Sequence, residues 1–240
     1  MTFDKFEQQT APILLKEIHD GNLPREVGKY RTLNQVSMFL KNPQLWFATV
    51  SEFNDPFEGK FYFKNDARVP FNAKIKVQEQ MNDLLNQMGV LCLTDNLNNI
   101  LMWSHYADKH RGAILVFDMA IDPVFFSAPF KVLYSFKYPS YPLLNFKDAM
   151  KSMACKFIRW QHENEIRVLK PHFHGLRTVK KEALTKIIFG CKADDAEITK
   201  VIEEMQVLGG YEHVELQKAV MDKHAYRLNY VTIEGNLETN

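Results

Sequence analysis

Gly112-Ala113-Ile114-Leu115-Val116-Phe117-Asp118 is the clearest buried strand in the chain, an apolar run of strand length closed by an acid. Outward from it, helical and extended patterns follow one another irregularly. Residues 99–108 read as one short helix, and Val90-Leu91-Cys92-Leu93-Thr94 before it as another apolar strand. Further upstream lie a helix over 73–88 and the strand Leu45-Trp46-Phe47-Ala48. Residues 28–33 are β-compatible, and Asn34 then caps a helix holding Val36, Phe39 and Leu40 that Asn42-Pro43 terminates. The first twenty residues predict a helix with Phe6, Ile13, Leu14 and Ile18 on its apolar side, interrupted at Pro12. Downstream, 131–136 reads as a strand, 146–159 as a helix, 165–169 as a strand that Pro171 ends, and 187–190 as a strand. An amphipathic helix over 194–208 and two strands near 212–220 and 225–232 complete the pattern. Helices and strands do not alternate strictly, so the expected fold is α+β: one domain over 1–240 with a mixed, largely antiparallel sheet flanked by helices.

The 240 residues carry 30 basic and 29 acidic side chains, and 46% are hydrophobic, ordinary values for a globular chain. No apolar run reaches the roughly eighteen residues of a helical membrane span. The first residues hold acids where a secretory signal needs a basic start and a clean apolar stretch. Three cysteines, Cys92, Cys155 and Cys191, form no CxxC pair, which argues against a disulfide framework or a thiolate zinc site and fits a reducing cytoplasm. Eighteen Phe, nine Tyr and three Trp exceed what a core needs and suggest aromatic-lined pockets. Charge is unevenly placed. Residues 1–144 hold 15 basic and 15 acidic side chains, 145–192 hold 11 and 4, and 194–240 hold 4 and 10. The basic segment is either a solvated face balanced by an acidic tail or a site for a phosphorylated ligand or nucleic acid.

Four clusters hold residues able to do chemistry. In Tyr30-Arg31, the guanidinium can fork to a phosphate while the ring stacks on a base. Phe53-Asn54-Asp55-Pro56-Phe57-Glu58 is a turn pinned by two phenylalanines; Asp55 caps it, or joins Glu58 in holding a divalent cation with further oxygens. In Met102-Trp103-Ser104-His105-Tyr106, helical spacing puts Met102 and Tyr106 on one face and Trp103, Ala107 and His110 on the next. Finally, Trp160-Gln161-His162-Glu163-Asn164-Glu165-Ile166-Arg167 would, if extended, point Glu163, Glu165 and Arg167 the same way. Arg167 could then neutralise one acid and leave the other to accept a hydrogen bond from a sugar hydroxyl. No GxGxxG, P-loop, HExxH or GxSxG motif occurs, which counts against dinucleotide folds of that type, nucleotide triphosphatases, zincins and α/β-hydrolases.

Taken in order, these blocks resemble the bacterial family catalogued as domain of unknown function 2971. The resemblance is carried by Lys29-Tyr30-Arg31, Phe53-Asn54-Asp55-Pro56-Phe57-Glu58, Leu91-Cys92-Leu93-Thr94, Met102-Trp103-Ser104-His105-Tyr106 with Gly112 and Phe117, and Trp160 with Glu163-Asn164-Glu165-Ile166-Arg167. It covers about 28–190 and implies a bacterial protein of a group often linked to mobile elements or phage conflict, without supplying a reaction. More distantly, the layout is similar to that of ADP-ribosyltransferases. That likeness implies that Arg31 holds NAD, that Ser104 or Tyr106 orients the nicotinamide ribose, that Glu165 hydrogen-bonds a ribose hydroxyl as the glycosidic bond breaks, and that Glu163 activates the acceptor. The usual Ser-Thr-Ser strand is absent, and 104–106 reads as helix.

The leading expectation is therefore an NAD-using transferase or glycohydrolase, with NAD as its substrate. Its catalytic residues would be Glu165, Glu163 and His105, and its ligand-binding residues Tyr30, Arg31, Asn54, Asp55, Trp103, Ser104, Tyr106, Trp160 and Arg167. The alternatives are a metal-dependent phosphodiesterase or nuclease using Asp55, Glu58, Glu163 and Glu165 around Mg²⁺, with 145–192 tracking a nucleic-acid backbone, and a non-enzymatic binding module.

Overall fold

The computed structural model describes residues 3–63, 70–141 and 146–233. The chain begins with α1 (Phe3–His19), β1 (Glu26–Arg31), α2 (Leu33–Lys41), β2 (Gln44–Phe47), β3 (Tyr62–Phe63) and α3 (Phe71–Asn86). It continues through β4 (Gly89–Thr94), α4 (Ile100–Tyr106), β5 (Ala113–Asp118), β6 (Pro129–Lys131), β7 (Leu133–Ser135), β8 (Ser140–Tyr141) and α5 (Phe146–Met153). The remainder is β9 (Cys155–Phe157), β10 (Glu165–Lys170), β11 (Gly175–Thr178), β12 (Leu184–Phe189), α6 (Asp195–Leu208), β13 (Glu215–Met221) and β14 (Leu228–Thr232).

The fold is α+β, built on an eight-stranded sheet ordered β14-β13-β12-β5-β1-β4-β10-β6. Every neighbouring pair is antiparallel except β12 and β13, which α6 joins as a parallel crossover. Asp194 starts that helix by accepting from the Ala196 and Glu197 amides. The strand over 113–118 lies inside the sheet and is buried at every position, because both faces are covered. On one face Leu115 and Phe117 meet Leu14 of α1, Val36, Phe39 and Leu40 of α2, and Val201 and Met205 of α6. Leu115→Ala there would cost about 2–5 kcal/mol in lost transfer energy and cavity. The other face holds two separate clusters. Ile114 and Val116 pack with Tyr30 and with Met102 and Trp103 of α4, while Val90 and Leu169 pack with Met81 and Leu85 of α3 and Met150 and Met153 of α5.

The sheet is not uniformly knit. β1 matches β5 over six residue pairs and β4 matches β10 over six, yet β1 and β4 share the single pair Gly28–Thr94. Beyond it the strands part, and the opening lies between the two clusters of that face. Two glycines hold the neighbouring loop. A Cβ on Gly112 would stand 2.1 Å from the Arg31 carbonyl oxygen, and one on Gly190 would stand 2.0 Å from that of His110.

Several expectations need correction. Pro12 does not interrupt α1, which is held on the sheet by Leu14 and by Glu7, whose carboxylate lies 2.5 Å from the Lys170 ammonium. Thr32, not Asn34, caps α2, in a capping box with Gln35. Residues 131–136 are not one strand: β6 pairs with β10 and β7 with β9, the break at Val132 being tied by its amide to the Glu165 carbonyl at 2.9 Å. The helix expected over 146–159 stops at Met153; Cys155–Phe157 becomes a strand, and Ile158–Glu163 a short 3-10 segment. Helical propensity lost there to the backbone pairing that β7 offers.

Candidate functional site

A cavity of about 330 Å³ opens where β1 leaves β4. Its floor is β10. Glu165 and Arg167 leave that strand on the same face, two residues apart, and Arg167 donates through Nε and Nη2 to the two Glu165 oxygens at 2.9 Å each. The guanidinium also bonds the Met153 carbonyl at 2.5 Å and pairs with Glu58, and it lies over the Phe53 ring at 5.0 Å. Lys156, from β9, reaches all three acids: Glu163 at 2.5 Å and Glu165 and Glu58 at 3.4 Å each. Three carboxylates thus face two cations, all nearly excluded from water. Replacing such a buried network with apolar residues is often neutral or stabilising, whereas removing one partner leaves an uncompensated buried charge.

The acids differ in character. Burial alone would raise Glu165, but Arg167 and Lys156 overrule it and hold the carboxyl at about 2. For Glu58 burial wins, and its pKa lies above the usual range in spite of Arg167 and Lys156. Lys156 would be lowered by burial; Glu165, Glu58 and Glu163 instead push it far up, so it stays charged. Burial and the charge of Glu165 push the Cys92 thiol up to about 12, leaving it protonated beside Glu165.

Glu163 is not on an extended segment. It ends the 3-10 segment, and Asn164 after it is left-handed at φ 45°. Alternation over 163–167 therefore fails as the reason these residues meet; Lys156 gathers Glu163 and Glu165 instead. The Glu163 carboxylate also accepts from the Tyr106 hydroxyl at 2.7 Å, which brings α4 to the cavity, and Thr94 Oγ1 donates to the Glu163 carbonyl at 2.7 Å. Asn54 hydrogen-bonds Tyr106, and the exposed His105 lies on the wall with its ring edge-on to Tyr106.

The opposite wall is β1. Tyr30 is buried, donates to the Leu97 carbonyl at 3.1 Å and stands edge-on to Trp103 with ring centroids 5.3 Å apart. Lys29 Nζ donates to the Cys92 carbonyl at 2.6 Å, across the parting of the two strands. Burial and the charge of Arg31 lower Lys29 to about 8. Half-buried Arg31 also lines the cavity, its pKa lowered by burial, and among the described residues no carboxylate pairs with it.

Of the residues expected at the ligand, the cavity gathers Tyr30, Arg31, Asn54, His105, Tyr106, Glu163, Glu165 and Arg167. Four expected there lie elsewhere. Trp103 is wholly buried behind Tyr30, stacked on His110, because an indole at that helical position faces the sheet. Ser104, one residue on, turns outward to His110 Nε2 at 3.0 Å and lines a separate cavity. Asp55 and Trp160 bond each other, Nε1 donating to Oδ2 at 2.9 Å, and pin the 53–58 turn under Lys156. Lys156 went unnoticed in sequence because it sat inside an expected helix, and Lys29 because a lysine before Tyr-Arg carries no signal of burial. For the metal reading, Glu58, Glu163 and Glu165 are already held by Lys156 and Arg167. Among the described residues no group of three or more His, Cys, Asp or Glu is placed to hold a metal. Nor is any helix among them long and apolar enough to cross a membrane.

No family model, no curated protein and no solved structure matches the chain.

Proposed function

We propose that the cavity binds an NAD-type nucleotide and breaks its nicotinamide–ribose bond, as a glycohydrolase or ADP-ribosyltransferase. The observation that carries this reading is one cavity with the carboxyl groups of Glu165 and Glu163 on one side and, on the other, Arg31, with which no carboxylate among the described residues pairs. Its volume lies at the lower end of ligand pockets, room for the ribosyl end of a dinucleotide rather than all of it. Arg31, with Lys29 beside it, takes phosphate oxygens. Tyr106 and Glu163, already joined by the tyrosine proton, offer acceptor oxygens to the ribose hydroxyls.

As the bond from C1′ to the pyridinium nitrogen breaks, its electron pair leaves with neutral nicotinamide, so no acid is needed at the leaving group. Positive charge grows on C1′ and its ring oxygen, and Glu165, fixed by Arg167, opposes it without having to reorganise. Water or an acceptor hydroxyl then bonds to C1′ and gives its proton to Glu163. The three acids stand on the side of the cavity away from Lys29 and Arg31, so a cationic centre beside Glu165 meets carboxylates while the phosphates meet the β1 cations.

The test is nicotinamide release from NAD. Wild type releases it in the presence of EDTA, and Glu165→Gln loses turnover by a factor of at least about 10² while circular dichroism stays native. Undiminished release by that variant would dismiss the assignment, and loss on adding EDTA would favour metal chemistry instead.

A further inference from the structure

The ribbon formed by β7 and β9 has two sides. Tyr134 and Lys156 turn inward, the tyrosine hydroxyl accepting from the Glu165 amide at 2.8 Å. Alternation sends Ser135 and Phe157 the other way, onto a cavity of about 560 Å³. Five aromatic rings stand around it: Phe57, Tyr62, Phe136, Tyr138 and Phe157. All five are exposed, Phe136 by 74% and Phe57 by 64%. Phe136 and Phe157 meet edge to face, centroids 6.1 Å apart at 75°, and so form a corner in which a planar ring can lie flat on one and against the edge of the other. Lys60 and Lys137 flank the rings, and among the described residues no Asp or Glu lines the cavity.

We infer that this cavity binds single-stranded nucleic acid, its bases stacking on Phe136 and Phe157 and its phosphates meeting Lys60 and Lys137. Exposed rings with ammonium groups and no acids match the way unpaired strands are held: every base offers a π-face, and the backbone needs cations. Phe157 also lies within 145–192, where 11 basic side chains outnumber 4 acidic ones. An apolar peptide would find no use for the lysines, and a duplex hides the base faces that the rings require. The inference goes beyond the glycosyl reading and does not depend on it.

The experiment is fluorescence anisotropy of the full chain, without NAD, using a labelled mixed-sequence DNA strand of about twelve nucleotides. The strand binds, and its blunt duplex binds at least about tenfold more weakly. Phe136→Ala with Phe157→Ala weakens binding by about tenfold or more while circular dichroism is unchanged, since both rings are exposed. The logarithm of affinity falls against the logarithm of salt with a slope of about −1.4, roughly 0.7 for each of two ammonium groups. Absence of binding at low salt, equal affinity for the duplex, or undiminished affinity in the double variant each overturns the inference. Because no NAD is present, such a failure is separate from a failure of nicotinamide release.

Discussion

The ammonium of Lys156 lies 2.5 Å from the carboxylate of Glu163, and the two reach that distance from positions seven apart, at opposite ends of an excursion of the chain. β9 delivers the lysine and the 3-10 segment returns the acid, so the pair depends on 154–163 not continuing α5. Lys156→Met should therefore be costly: it leaves Glu58, Glu163 and Glu165 with one guanidinium among them. Loss of about 3–5 kcal/mol at neutral pH is expected, read from urea unfolding, and Lys156→Arg should recover part of it.

Glu165 gives acid sensitivity a definite sign. Its folded pKa of about 2 lies below the ordinary carboxylate value of 4.5, so its stabilisation is fully present above about 4.5 and fades as pH falls towards 2. Across that window the wild type should lose roughly 3 kcal/mol from this one group. Glu165→Gln should flatten the decline in unfolding free energy measured from pH 5 to 2. Glu58, whose pKa is raised, contributes with the opposite sign and does not produce this decline.

Lys29 gives ligand binding a pH dependence near neutrality. With its pKa lowered to about 8, it loses its charge as pH rises through that value, while Arg31 keeps its own. NAD affinity, followed by thermal shift, should fall between pH 7 and 9 in the wild type. Lys29→Met should bind more weakly at pH 7 and show no further fall. Arg31→Ala should weaken binding at every pH with little change in the stability of the unliganded chain, because among the described residues no carboxylate pairs with it.

Gly112→Ala should destabilise by about 2–3 kcal/mol, since the new methyl group meets the Arg31 carbonyl oxygen at 2.1 Å and backbone on both sides must shift. The same displacement moves Arg31, so nicotinamide release should suffer in the folded fraction as well. Denaturant midpoints and specific activity of the refolded variant test the two effects separately.

Much of the fold was legible because burial leaves a periodic trace. The run over 113–118 announced a central strand, and the mixed order of elements announced α+β. Tyr30, Arg31, Tyr106, Glu163, Glu165 and Arg167 could be named as candidates because polar residues stood in aromatic surroundings. Their meeting could not be read. It depends on the excursion at Lys156, where local helical preference and distant strand pairing disagree, and sequence displays only the first. Trp103 and Ser104 show the complementary limit: adjacent residues on a helix share a motif but face different neighbours, one into the core and one to His110. Asp55 and Trp160 stand 105 positions apart in the chain, and no spacing rule anticipates their hydrogen bond.

The lone rung between Gly28 and Thr94 leaves the sheet as two leaves joined at a seam. A molecule with one end on Arg31 and the other on Tyr106 and Glu163 would stitch those leaves together, supplying across the gap the bonds the main chain omits. Occupancy would then be recorded in the scaffold itself, as slower amide hydrogen exchange along both margins of the seam.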